Sequence, residues 1–157
     1  MSILTPEVLT AIDRSVLCWL ATANADGVPN VSPKEVFAAH GDDGLLIANI
    51  ASPQSVRNIR VNAHVCVSFV DVFVQKGFKL TGTATLVAPD TARFEALLPP
   101  LHRITQGLFP IRSIIAIEVT ATAPIVAPSY FLWPDVTEAE QRAAAMQTYG
   151  VAPLPQS

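Results

Sequence analysis

Charged residues are scarce in this chain of 157 residues, making up 15% of it against 50% for hydrophobic residues. The formal net charge is only −3, so there is no excess of basic residues from which to build the positive face of a nucleic-acid binder. A mean hydropathy of +0.39 is also too high for a chain that stays disordered. The composition therefore predicts one folded domain, with some apolar surface buried against another subunit.

Cysteines and long apolar runs are scarce as well. Cys18 and Cys66 lie far apart in apolar stretches and belong to no CxxC motif, so we expect two core residues rather than disulfide partners or zinc ligands. No apolar run approaches the roughly 18–20 residues that cross a bilayer, and residues 1–4 do not begin a signal peptide. We therefore expect a cytoplasmic protein that does not contact membranes.

The motifs of several enzyme classes are missing too. The sequence has no GxGxxG after a strand, no P-loop, no GxSxG and no HExxH. His40, His64 and His102 are scattered without ligand spacing, so we expect them at the surface or in turns. Glu118 lies alone in an apolar strand, where its carboxylate is expected to face solvent. No residue can therefore be named as a catalytic acid, a catalytic base or a metal ligand.

Extended segments dominate what is present. Strands are predicted at residues 16–22, 28–37, 45–50, 65–74, 78–87 and 112–123. Because the turns between them are short and most neighbours in sequence can pair, the pattern indicates an antiparallel barrel or sandwich with peripheral helices. Pro29 and Pro33 lack amide donors, which confines the second strand to a sheet edge or a bulge.

Capping signals predict the helices. Thr5 and Ser52 each precede a proline, which is the signature of a helix start, and the helix that follows Ser52 should end near residue 61 at Asn62. A third helix, capped at residue 90 or 91, should be broken by the prolines at 99 and 100. Thr137 has capping-box spacing and begins a short helix that ends near Gly150, before a disordered end. Residues 1–127 thus form the barrel, and residues 128–157 a C-terminal extension of the same domain.

Polar residues gather in four segments near strand ends. Strand alternation places Asn30, Ser32 and Lys34 on one face. The second segment is the strand end at residues 48–51. The third is the helix start at residues 52–58, whose unpaired amides can hold a phosphate. The fourth, residues 75–79, contains the other two lysines. The alternative is that the lysines are solvated residues beside turns and that the helix start is an ordinary one.

The order of these segments resembles that in the pyridoxamine 5′-phosphate oxidase-like flavoproteins. The resemblance rests on GVPNVSPK at residues 27–34, the helix start at 52–59, the run at 61–68 and the strand with GxA at 79–84. It covers about residues 10–125. It implies a mainly β (α+β) fold, a six-stranded antiparallel Greek-key split β-barrel with peripheral helices. It also implies a homodimer that binds FMN at the subunit interface.

The resemblance further assigns cofactor-binding residues, grouped by the part of FMN that each would contact. They are Ser32, Pro33 and Lys34 for the ring edge and ribityl chain, Ala48 and Asn49 beside the isoalloxazine, Ser52, Gln54 and Ser55 with Asn58 behind them for the phosphate, and Lys76 and Gly77 from the second subunit.

This chain departs from the family at two places. Gln54 and Ser55 stand where the family often has an Arg-Lys pair, so the phosphate charge would depend on Lys34, Arg57 or the helix dipole. No arginine follows Arg142, whereas the vitamin-processing oxidases end in a strand whose Trp and Arg residues hold pyridoxal phosphate. We therefore expect an FMN-dependent oxidoreductase with a small-molecule substrate or electron donor, and not pyridoxamine phosphate oxidase itself.

Two alternatives stay open for the function, and two for the C-terminal extension. The protein could be a non-catalytic flavin-binding or electron-transfer protein, or a member of the superfamily that binds deazaflavin or haem. Residues 130–134 contain three aromatic side chains. They either anchor the extension on the barrel or place one ring over the flavin or the substrate pocket, where it would exclude water.

Overall fold

The computed structural model describes residues 2–155, which form seven strands in one antiparallel sheet and five helices. The strands are β1 (Cys18–Ala23), β2 (Pro29–Lys34), β3 (Phe37–His40), β4 (Gly44–Asn49), β5 (His64–Asp71), β6 (Lys76–Val87) and β7 (Ser113–Val126). Their order in the sheet is β2-β1-β5-β6-β7-β4-β3. The predicted antiparallel barrel with peripheral helices is confirmed.

The connection between β2 and β3 curls the sheet. These two strands lie at opposite ends of the strand order, yet only Glu35 and Val36 separate them in the chain. The two sheet edges must therefore lie close together, which bends the sheet into a barrel. The barrel stays split because β2 pairs with β1, whereas β3 pairs with β4. The single strand predicted at 28–37 is thus two strands, and β2, with its two prolines, is the predicted edge strand.

Alternating burial along the strands fills the barrel with apolar side chains. Along β1 and β5, the inward positions include Leu20, Val67 and Phe69, which are all fully buried. A second cluster lies under the third helix and includes Leu46 and Leu101. Burial of each such side chain contributes about 1.5–3 kcal/mol to the free energy of folding. The packed barrel is therefore a rigid support for groups at its strand ends.

The five helices are α1 (Pro6–Arg14), α2 (Pro53–Val61), α3 (Ala92–Thr105), α4 (Ser129–Leu132) and α5 (Glu138–Tyr149). The predicted starts of α1 and α2 and the stop of α2 at Asn62 are confirmed. Thr137 and Glu140 form the predicted capping box of α5, and Gly150 ends that helix in the left-handed conformation with φ +66°. The short helix α4 was not predicted.

The prediction that prolines would break α3 is wrong. The helix continues through Pro99 and Pro100. These prolines leave the carbonyls of Glu95 and Ala96 without an amide partner, but both residues are exposed and water can reach them. On the opposite side of the helix the buried Leu101 packs into the core. Burial of that face therefore outweighs the two missing hydrogen bonds.

Other expectations have mixed outcomes. The three histidines and Glu118 are exposed, as predicted. Cys18 is buried in the core as expected, whereas Cys66 is only half-buried on the outer face of β5. Residues 151–155 form no helix or strand, and the predicted disorder of residues 156–157, like the start at Met1, lies outside the described residues. No helix within residues 2–155 is long and apolar enough to cross a membrane.

Candidate functional site

A buried lysine lies at the centre of the site. Lys34 is the last residue of β2 and is 5% exposed. Its Nζ donates to Ser32 Oγ at 2.6 Å and to the hydroxyl of Ser52, which precedes α2. Ser32 and Lys34 share the inward face of β2, whereas Val31 and Pro33 point outward, as strand alternation predicts. The structure thus joins two of the predicted polar segments through one ammonium group.

Within residues 2–155 the charge of this lysine has no carboxylate partner. The ion pairs among residues 2–155 lie elsewhere, so only hydroxyl oxygens face the Lys34 ammonium. Burial lowers the pKa of Lys34, and burial also raises the pKa of Cys18, its cross-strand neighbour, to about 12 despite the nearby positive charge. The Cys18 thiol therefore stays neutral. Because an unpaired buried ammonium is unfavourable, this arrangement suits an anionic ligand.

The start of α2 offers further hydrogen-bond donors. Ser52 is the N-cap residue, yet its side chain does not cap the helix and instead accepts from Lys34. Pro53 has no amide hydrogen, and within the described residues the amides of Gln54 and Ser55 have no backbone or side-chain acceptor. Ser55 Oγ is also buried, in a residue that is 1% exposed, and has no hydrogen-bond partner among those same residues. Two open amides and a free hydroxyl at the positive end of a helix dipole favour an anion there.

A chain of hydrogen bonds connects the first turn of α2 to β1. Arg57 NH2 donates to Gln54 Oε1 at 2.6 Å, and Gln54 Nε2 donates to Asn58 Oδ1 at 2.9 Å. Asn58 Nδ2 in turn donates to Thr22 Oγ1 at 3.0 Å. Thr22 and Asn58 are both buried. Both ends of the Gln54 side chain are therefore hydrogen-bonded, one to the exposed Arg57 and the other to the buried Asn58. The place of Asn58 behind a bound phosphate stays a prediction.

Two predicted residues lie at the end of β4. Asn49 Oδ1 accepts from the Ser52 amide at 3.2 Å, and Asn49 Nδ2 donates to Ser113 Oγ at 2.9 Å. Asn49 thereby fixes the start of α2 relative to β7. Ala48 is buried in the cluster under α3, so its contact with a ligand stays a prediction.

The remaining predicted residues lie outside the Lys34 cluster. Lys76, at the start of β6, forms an ion pair of 2.8 Å with Glu138 and lies 4.2 Å from the ring centre of Tyr130. A side chain at Gly77 would overlap the carbonyl oxygen of Phe69. No hydrogen bond among the described residues joins Lys76 or Gly77 to Lys34. Their predicted role in a second subunit's site stays a prediction, as does the role of the outward Pro33.

The aromatic segment is only partly anchored. The hydroxyl of Tyr130 donates to the carbonyl of Val74 at 2.8 Å, and the ion pair of 3.1 Å between Arg142 and Asp71 holds α5 nearby. Phe131 and Trp133, in contrast, are 72% and 63% exposed. Tyr130 therefore anchors the extension on the barrel. That Phe131 or Trp133 places its ring over the flavin stays a prediction.

Thr22 and Ser113 are site residues that sequence reasoning missed. Thr22 occupies an inward position of β1, two residues after the fully buried Leu20, so strand alternation marks it as a polar group facing the interior. A polar residue at such a position needs a partner, which is a usable signal. Its partner, Asn58, is 36 residues away in sequence, and no local pattern indicates which residue that is.

The fold and the site together define a split-barrel protein with a buried lysine and open hydrogen-bond donors at the start of a helix. Residues 4–143 match the family model described as pyridoxamine 5′-phosphate oxidase. The match spans most of the chain, and the protein belongs to the pyridoxamine 5′-phosphate oxidase family. The comparison with curated proteins gave no match.

Solved structures share the fold. HupZ of Group A Streptococcus is 25% identical and superposes with a TM-score of 0.67 over 78% of this chain and 99% of its own. An FMN-binding protein from Syntrophomonas wolfei is 14% identical, with a TM-score of 0.66 over 76% of this chain and 84% of its own. An F420 reductase is 22% identical, with a TM-score of 0.56 over 76% and 98%.

Proposed function

We propose that this protein is an FMN-binding flavoprotein and acts as an FMN-dependent oxidoreductase. The observation that carries the proposal is the buried Lys34 ammonium, which has no carboxylate partner in the described part of the chain and lies beside the open first turn of α2. A phosphate monoester supplies the missing negative charge and accepts from several donors at once. Family membership and the FMN-binding protein of the same fold support FMN as the phosphate-bearing group.

The chain's own residues would bind and orient the phosphate end of the cofactor. Lys34 Nζ, the amides of Gln54 and Ser55 and the Ser55 hydroxyl would donate to phosphate oxygens, while Asn49 holds the start of α2 in place. The flavin, when bound, supplies the electron- and hydride-transfer chemistry. The protein's part is to fix the flavin's position and to keep water from the Lys34 side of the site, where burial strengthens the charge interaction.

A spectrum of the purified protein and a titration test this function. We expect the near-ultraviolet and blue absorption bands of an oxidised flavin, or uptake of FMN by the colourless apoprotein with lower affinity for riboflavin, which lacks the phosphate. Reduction of the bound flavin by NADH or NADPH, followed by turnover with an acceptor, would show catalysis. A Soret band, or preference for a deazaflavin, would contradict FMN. A bound flavin that no donor reduces would favour the electron-transfer or non-catalytic alternative.

The outer face of the sheet supports a homodimer with FMN at the subunit interface. Along β1 and β2 this face presents Trp19 opposite Pro33 and Ala21 opposite Val31, and Trp19 and Val31 are exposed. An uncharged apolar face of this kind suits a permanent subunit contact.

We expect light scattering at micromolar concentration to give twice the chain mass of 16.8 kDa. The interface should bury more than about 2,000 Å², as in obligate dimers. A monomeric mass would contradict both the dimer and the predicted contribution of Lys76 from a second subunit. The cytoplasmic location remains a prediction.

A further inference from the structure

The first turn of α2 lacks the basic side chains that would balance a phosphate. Gln54 and Ser55 are uncharged, so on this side of the site the helix itself offers two amides and one hydroxyl. Lys34 supplies one positive charge from β2, against a phosphate that carries nearly two negative charges at neutral pH. A second cation would balance the ligand more fully than Lys34 and the helix dipole do together.

Arg57 is a cation whose side chain extends toward the first turn of α2. It lies three residues after Gln54, on the same side of the helix, and its guanidinium reaches toward the helix start to donate to Gln54 Oε1 at 2.6 Å. No carboxylate of residues 2–155 forms an ion pair with Arg57. Its charge is therefore held near the open amides without being neutralised.

The direction of the hydrogen-bond chain follows from the chemistry of Arg57. A guanidinium only donates, so Gln54 must present its oxygen to Arg57 and its NH2 group to Asn58. Asn58 must then accept with Oδ1 and donate with Nδ2 to Thr22. Because Thr22 and Asn58 are buried, these hydrogen bonds anchor the Gln54 side chain, and through it Arg57, to the barrel.

We infer that Arg57 binds the cofactor phosphate as the second cation of the site, and that Gln54, Asn58 and Thr22 are positioning residues that hold it there. The inference rests on the proposed FMN function. Ser55 Oγ, which is buried in the same helical turn and has no hydrogen-bond partner within residues 2–155, is the independent sign that a ligand completes this site. Arg57 thus takes the place of the basic residues that this chain lacks at the helix start.

The test compares two arginines of the same helix. We expect Arg57→Gln to weaken FMN binding about tenfold, since one charged hydrogen bond to phosphate is lost, while riboflavin binding stays unchanged. Arg57→Lys should restore part of the FMN affinity. Arg60→Gln makes the same change in net charge in the last turn of α2 and is the matched control, which should leave both affinities as they are.

Thr22→Val and Gln54→Leu test the positioning residues. Both should lower the FMN preference over riboflavin and make the FMN affinity more sensitive to salt, because Arg57 keeps its charge but loses its position.

The outcomes separate this inference from the proposed function. Equal FMN affinity of wild type and Arg57→Gln would overturn the role of Arg57 and leave the FMN function intact. If the wild type binds no FMN, inorganic phosphate serves as the probe. A phosphate-dependent rise in melting temperature in the wild type and in Arg60→Gln, but not in Arg57→Gln, would support the inference and contradict FMN. No response of the wild type to either FMN or phosphate would overturn both.

Discussion

Replacing Lys34 with methionine should abolish most FMN binding without destabilising the protein. Methionine keeps an unbranched side chain of similar length but removes the ammonium that faces Ser32 and Ser52. Charged hydrogen bonds contribute about 1.5–3 kcal/mol each, so we expect the Kd for FMN to rise at least about 100-fold, or roughly 2.7 kcal/mol. The apoprotein should melt at the same temperature or higher, because a buried charge without a counter-ion has been removed.

Isothermal titration and thermal melting measure these two effects. Arg93→Met, at an exposed position of α3, changes the net charge equally and should alter neither FMN affinity nor stability by much. If Lys34→Met bound FMN within threefold of the wild type, the phosphate would lie elsewhere. A large loss of apoprotein stability would instead show that the ammonium serves the fold rather than a ligand.

Lys34 also sets opposite pH dependences for stability and for binding. Burial lowers its pKa in the folded apoprotein, so between that lowered pKa and the ordinary lysine value the unfolded chain binds more protons. The contribution of Lys34 to apoprotein stability should therefore rise with pH across this window. FMN affinity should fall across the same window, because the phosphate needs the protonated lysine. In the upper part of this window the unfolded Cys18 thiol loses its proton, while the folded one, with its pKa raised to about 12, keeps it, so Cys18 contributes an opposing fall in stability there. The two contributions of Lys34 should vanish in Lys34→Met, which leaves only the fall due to Cys18.

The sequence predicted those parts of the site that short-range rules control. A serine before a proline marks the start of α2, and strand alternation places Ser32 and Lys34 on one face. The order of the segments in the family then indicates that this face and this helix start meet. The structure confirms the meeting through the hydrogen bond from Lys34 to Ser52, across 18 residues of sequence.

What the sequence did not predict depends on contacts between distant residues. The break between β2 and β3 follows from pairing with β1 on one side and β4 on the other, which no local pattern reveals. Continuation of α3 through two prolines results from burial of its apolar face, a tertiary effect stronger than intrinsic propensity. The role of Thr22 likewise emerges only from the hydrogen bond that connects β1 with α2. The sequence named Arg57 as one of three possible sources of phosphate charge, and its hydrogen bond to Gln54 is what favours it among them.

The sequence and the structure give different reasons why position 77 is a glycine. The family resemblance assigns it to the flavin of a second subunit. In the structure it lies in the interior of the sheet, paired with Val70 on β5 and Ile125 on β7. A Cβ there would overlap the Phe69 carbonyl oxygen and lie 2.8 Å from the Val70 Cα, and neither backbone atom can move without separating the strands. Close approach of two strands is therefore sufficient to require glycine.

We expect Gly77→Ala to lower the free energy of unfolding by about 3 kcal/mol, the upper end of the range for overpacked sites. For a chain of this length that shift corresponds to about 6–12 °C in melting temperature. Lys79→Ala, two residues along the same strand and exposed, is the control and should change stability by no more than about 0.5 kcal/mol. A Gly77→Ala protein that melts like the wild type but no longer binds FMN would show that the ligand, and not strand packing, requires glycine. If Gly77→Ala lost stability while its folded fraction kept the FMN affinity, the packing of β5 against β6 alone would require glycine at this position.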